Sequence, residues 1–113
     1  MQLEADSRTA VLQPDFKHLD TLNAQEFGSR FAPLAAEADT VLIDMALVHY
    51  VDSSGLGAIL NLIRDTLSRG ARIALCGAQP SVKVLFRMVQ ISKLLPVFDT
   101  REQAMDWAGR EMP

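Results

Sequence analysis

Tyr50-Val51-Asp52-Ser53-Ser54-Gly55-Leu56-Gly57-Ala58-Ile59-Leu60 is the stretch from which the fold is read. Just upstream, Val41-Leu42-Ile43 is a β-branched run too short for a helix and apolar at successive positions, which predicts a central strand. Downstream, Leu56, Ile59, Leu60, Ile63 and Leu67 recur at the spacing of one helix face. Between the two lies a polar elbow. Asp52, Ser53 and Ser54 carry side-chain oxygens that accept from the unpaired N–H groups of a first helical turn. The positive end of that helix stabilises an added phosphate. Gly55 and Gly57 leave the backbone open to close approach by another protein.

A chain of 113 residues is long enough for one domain, spanning 1–113, to bury a core without disulfides or metal. A net charge of −3 argues against a nucleic-acid or anionic-membrane partner. The single cysteine, Cys76, excludes an internal disulfide and suits a reducing compartment. Met1 to Asp6 has neither the basic region nor the apolar core of a signal peptide, and no apolar run is long enough to span a bilayer. A soluble, cytoplasmic protein is expected.

In chain order, residues 2–6 and 9–13 suggest a hairpin that Pro14 stops. Asp20-Thr21-Leu22-Asn23 opens a helix: Asn23 with Glu26 has the spelling of a capping box, and Leu22 with Phe27 that of a hydrophobic staple. Phe27, Phe31, Leu34, Ala35 and Ala38 form its expected buried stripe, with Pro33 expected to bend it or end its first part. After the central helix, Gly70 is placed to cap its C-terminus, and Ala71 to Cys76 reads as a strand. Strand, helix, strand over 41–76 implies parallel pairing. Pro80 suits the first position of a third helix with a core face of Val82, Leu85, Phe86 and Val89. Val97-Phe98 follows as a last strand, and Thr100 with Gln103 has the spelling of a second capping box before a final helix.

Two helices carry more apolar surface than one face requires: Ala58 and Leu62 on the central one; Val84, Met88 and Ile91 on the third. Either a compact domain buries wide stripes or these residues dock a partner. Catalytic motifs fail. No glycine stands two residues before Ser53 or Ser54, and both histidines, His18 and His49, lie upstream of them, contrary to the order of hydrolases built on that elbow. One cysteine and two scattered histidines do not make a zinc site, and Gly55-Leu56-Gly57 lacks the third glycine and the lysine of nucleotide-binding loops. Cys76 reads as a core filler and His49 as a loop or partly buried residue. No metal, cofactor or catalysis is expected. For the hydroxyl pair two readings stay open: Ser53 or Ser54 caps the helix, or one of them accepts a phosphate.

The run Val41-Leu42-Ile43-Asp44, then Val51-Asp52-Ser53-Ser54-Gly55-Leu56-Gly57, resembles the STAS domain of bacterial anti-sigma factor antagonists. The resemblance continues through Cys76-Gly77-Ala78-Gln79-Pro80-Ser81-Val82-Lys83-Val84-Leu85-Phe86 and Leu94-Leu95-Pro96-Val97-Phe98-Asp99-Thr100. It implies an α/β fold, a mixed sheet of four or five strands packed with four helices. It implies that Ser53, directly after the aspartate, is the phosphoacceptor. Asp52, Ser54 and Gly55 match its flanking positions, and Asp20 falls where the family often opens its first helix with an aspartate. The segment Asp15-Phe16-Lys17-His18 departs from the family pattern, in which a longer first hairpin ends in a glycine.

The resemblance further implies a partner switch without catalysis of its own. The unphosphorylated protein binds an anti-sigma factor that is also a serine kinase; the matched positions Asp20, Asp52, Ser54 and Gly55, with Leu56, Ala58 and Leu62 from the apolar surface of the central helix, are the expected contact residues. Phosphorylation of Ser53 breaks the complex, and a serine phosphatase of the metal-dependent class resets it. The alternative is a constitutive STAS subunit of a signalling assembly or a transport ATPase complex, in which Ser53 does not switch. The extra apolar surface leaves room for a homodimer.

Overall fold

Val41 and Ile43 point to one side of a sheet and Leu42 to the other, and all three are fully buried, so helices must cover both faces. The computed structural model, which describes residues 8–110, shows that arrangement. Strands β1 (Thr9–Leu12), β3 (Thr40–Asp44), β5 (Arg72–Cys76) and β6 (Val97–Phe98) form one sheet in the order β1-β3-β5-β6, and every pairing in it is parallel. Strands β2 (His18–Leu19) and β4 (Tyr50–Val51) form a separate parallel pair. The expected α/β architecture with four helices is present: α1 (Ala24–Ala36), α2 (Ser53–Ser68), α3 (Pro80–Met88) and α4 (Arg101–Ala108). β1 pairs in parallel with β3 along one edge; residues 2–6, the other half of the expected hairpin, lie outside the described part of the chain.

The sheet alternation sorts the core into two layers. Val41, Ile43, Ile73 and Leu75 pack with Phe27 and Phe31 of α1, Ile59 and Ile63 of α2, and Val82 and Phe86 of α3. On the opposite face, Leu42, Ala74 and Cys76 pack against Ala104 and Trp107 of α4. Asp44, 4% exposed at the end of β3, fastens that second layer: its Oδ2 accepts from Arg101 Nε at 2.8 Å and from Gln13 Nε2 at 3.2 Å. Arg72 caps the far end of α4 by donating to the Trp107 and Ala108 carbonyls.

Several local readings hold and several do not. Thr100 and Gln103 make the reciprocal capping box, Pro80 opens α3, and Gly70 follows α2 with a positive φ of 81°. Asn23 stands at the N-cap of α1 but makes no side-chain cap bond; its oxygen accepts from the Asp20 N–H at 2.9 Å and its amide donates to the His18 carbonyl at 2.7 Å. Leu22 staples nothing and faces solvent. Pro33 does not end α1: it and Ser29, whose carbonyl loses its helical partner there, lie on the exposed side, so the lost bond is not buried. Leu34, Leu67 and Val89, expected inside, are exposed. No helix among the described residues is long and apolar enough to cross a membrane.

Candidate functional site

β4 ends at Val51, and the next residue turns the chain into α2. Asp52, with extended backbone (φ −96°, ψ −173°), is the N-cap: its Oδ1 accepts from the Gly55 N–H at 2.9 Å. Its Oδ2 accepts from the backbone N–H and the hydroxyl of Thr21, both at 3.3 Å. The Gly55 amide first, and then the Thr21 donors, hold the Asp52 carboxyl below the usual carboxylate range. Ser54 is tied in as well, its hydroxyl 3.1 Å from that of Thr21. Ser53, the first residue of α2, is exposed, and among the described residues its hydroxyl takes part in no side-chain hydrogen bond. The capping role that the sequence left open for Ser53 or Ser54 therefore belongs to Asp52.

Gly55 is required for a different reason from the one its sequence position suggests. A Cβ built on it would stand 2.1 Å from the Leu19 carbonyl oxygen. Backbone meets backbone there, and the first turn of α2 lies directly on β2. Gly55 is buried, so it contributes the absence of a side chain rather than contact surface. Gly57 has nothing within 4 Å of such a Cβ and is sterically free.

The helices α1 and α2 run side by side in the same direction. Thr21 meets Ser54 at their N-terminal ends, and Arg69 Nη2 donates to the Ala35 carbonyl at 2.7 Å near their C-terminal ends. Two helix N-termini thus lie together beside Ser53, and both present partial positive charge there. Asp20 precedes α1 on this edge; its Oδ1 accepts from the Leu22 N–H at 3.0 Å. Leu56 and Ala58 are half-buried on α2 close to the elbow. Leu62 corrects an expectation: at 4% exposure it is sealed in the core with the α1 residues, because α1 covers the side of α2 that carries it. Ile91 is buried too, leaving Val84 and Met88 as the exposed part of the extra apolar surface on α3.

The site therefore gathers Asp20, Asp52, Ser53 and Ser54 on one edge, with Leu56 and Ala58 next to it. Thr21, whose hydroxyl and amide join the two halves, was not singled out from the sequence; its partners stand 31 and 33 residues away, and no local pattern marks it. Neither His18 nor His49 is hydrogen-bonded to a serine hydroxyl of the elbow; the His49 carbonyl accepts from Ser81. Among the described residues no group of three or more His, Cys, Asp or Glu side chains is disposed to hold a metal.

The family model for the STAS domain matches residues 1–104. An anti-sigma F factor antagonist from Paenibacillus polymyxa is 28% identical over 69 residues, which are 61% of this chain and 59% of that protein. The match thus spans less than two thirds of that relative's length. Among solved structures, a candidate anti-sigma factor antagonist from Thermotoga maritima superposes with a TM-score of 0.82 at 24% identity, over 90% of this chain and 88% of the other. The phosphorylated form of the Bacillus cell fate determinant SpoIIAA gives 0.67 at 21%, over 88% and 89%. The STAS domain of a SulP transporter from Vibrio cholerae gives 0.73 at 18%, over 89% and 80%. At these identities the structural likenesses establish a shared fold.

Proposed function

The chain belongs to the STAS domain family, and we propose that it acts as an anti-sigma factor antagonist governed by phosphorylation of Ser53. The observation that carries this reading is the division of labour at the elbow. Asp52 caps α2 and Thr21 holds Ser54, while the Ser53 hydroxyl stays exposed and uncommitted. A transferase can reach it without dismantling any bond that holds the fold.

Phosphate adds about −1.5 to −2 charges at this point. Within the molecule the two adjacent helix N-termini accommodate that charge, so the scaffold is expected to stay as it is. At an interface over Ser53, Leu56 and Ala58, the same group must be desolvated beside the Asp52 carboxylate. Binding is then opposed unless the partner supplies cations. The unmodified protein binds a serine kinase that is also an anti-sigma factor; phosphorylation releases it, and a metal-dependent serine phosphatase restores the binding form. The protein performs no catalysis of its own in this cycle. Support comes from the name of the Paenibacillus relative and from the phosphorylated state in which the SpoIIAA structure was solved.

The test is to incubate the purified protein with that kinase and ATP and map the modified residue by mass spectrometry. Label confined to Ser53 is expected. Label on Ser54, Thr21 or another residue, with Ser53 unmodified, contradicts the proposal.

A further inference from the structure

Ser53 and Ser54 are neighbours in sequence and both are exposed, so access alone does not decide which of them a kinase modifies. Their hydrogen bonds differ. The Ser54 hydroxyl lies 3.1 Å from that of Thr21, and the Thr21 hydroxyl lies 3.3 Å from Asp52 Oδ2. Each hydroxyl has one proton, and that fixes the direction of the chain. The Asp52 carboxyl, held below its ordinary range, is ionised near neutral pH and only accepts. The Thr21 proton goes to Asp52, so the proton between the two hydroxyls is that of Ser54. Ser54 donates to Thr21, and Thr21 donates to Asp52. Ser53 stands one position earlier on α2, where its side chain leaves the helix about 100° away. Among the described residues it takes part in no such bond.

We propose that Thr21 selects between the two serines: by taking the proton of Ser54 it withholds that hydroxyl and leaves Ser53 to the kinase. The inference rests on the proposed function and deepens it by naming what confines the modification to one residue. In the transfer, the acceptor oxygen bonds to the γ-phosphorus of ATP, the bond from that phosphorus to the bridging oxygen breaks, and ADP leaves with the electron pair. The hydroxyl proton passes to a base on the kinase. Ser53 gives up its proton with no bond of the protein broken. Ser54 must first turn away from Thr21, and one of the bonds that join α2 to the turn before α1 is lost. Charge opposes Ser54 a second time, because its phosphate is added beside Thr21, whose other partner is the Asp52 carboxylate. Thr21 is a positioning residue and takes no part in the transfer itself.

The experiment incubates the purified protein with the serine kinase that modifies Ser53 and ATP, and reads the initial rates of label at Ser53 and Ser54 by mass spectrometry. The ratio of the two rates is the readout, because a change in docking moves both together. Thr21→Val and Thr21→Ala lack the hydroxyl but keep the backbone N–H that reaches Asp52, whereas Thr21→Ser keeps the hydroxyl. Label at Ser54 relative to Ser53 is expected to rise about three- to tenfold in the first two, the worth of one hydrogen bond. In Thr21→Ser the ratio is expected within about twofold of wild type. With the competing residue removed, Ser53→Ala/Thr21→Val is expected to take label at Ser54 about three- to tenfold faster than Ser53→Ala. If Ser53 is labelled in wild type while Thr21→Val and Thr21→Ala show the wild-type ratio, or no label at Ser54, the selector is overturned and the Ser53 switch stands. A ratio raised equally in Thr21→Ser also overturns it, since the hydroxyl is then not the cause. If wild type takes label on Ser54 rather than Ser53, the switch fails and the selector falls with it.

Discussion

Asp52 and Gly55 are joined by a 2.9 Å hydrogen bond from the Gly55 amide to the Asp52 carboxylate, and that bond leaves Ser53 with no structural task. The same carboxylate reaches back to Thr21, so one side chain fixes both the start of α2 and the turn before α1. The charged form of Asp52 is the one these donors favour.

Asp52→Asn keeps a cap oxygen for Gly55 but gives up an acceptor for Thr21. Because the folded carboxyl sits below its ordinary value of 3.8, its contribution is fully present above that value and is lost as pH falls through the lower, folded one. Urea midpoints of wild type should exceed those of Asp52→Asn at pH 7, and the gap should narrow below about pH 4. A gap that stays constant down to pH 2 contradicts this account of the cap.

The two glycines of the elbow should respond oppositely to alanine. Gly55→Ala forces a Cβ to 2.1 Å from the Leu19 carbonyl oxygen. It should cost about 3 kcal/mol, since backbone on both sides must shift. Gly57→Ala meets nothing and should gain about 0.5–1 kcal/mol through helix propensity. Chemical denaturation of both variants checks the pair; equal effects would contradict the packing described at β2.

Much of this was legible in the chain, and the remainder depended on distant partners. The unbroken apolar run Val41-Leu42-Ile43 and the apolar period after Leu56 specify their own elements, because each signal lies within one short window. Thr100/Gln103 and Asn23/Glu26 read alike as capping boxes, yet only the first forms, because the Asn23 side chain is engaged by Asp20 and His18. Two-residue strands such as β2 and β4 are too short for periodicity to reveal. Leu62 seemed free for a partner because the sequence does not show that α1 lies over it. Gly55 looked like an open approach to the backbone, but Leu19, 36 positions earlier, occupies that space.

Cys76 should be inert in the folded protein. Burial first, and then the nearby Asp44 charge, push its thiol up to about 11. A disulfide reagent at pH 8 should therefore label it only after denaturant is added. Rapid stoichiometric labelling of the native protein would contradict the buried position of β5.

In the proposed switch, charge at one exposed hydroxyl governs one interface. The most direct measurement compares the affinity of the kinase for the unmodified protein and for protein quantitatively phosphorylated at Ser53, with circular dichroism confirming that both are folded. Phosphorylation is expected to lower the affinity about a hundredfold or more with no change in secondary structure. Equal affinities for the two folded forms would contradict it.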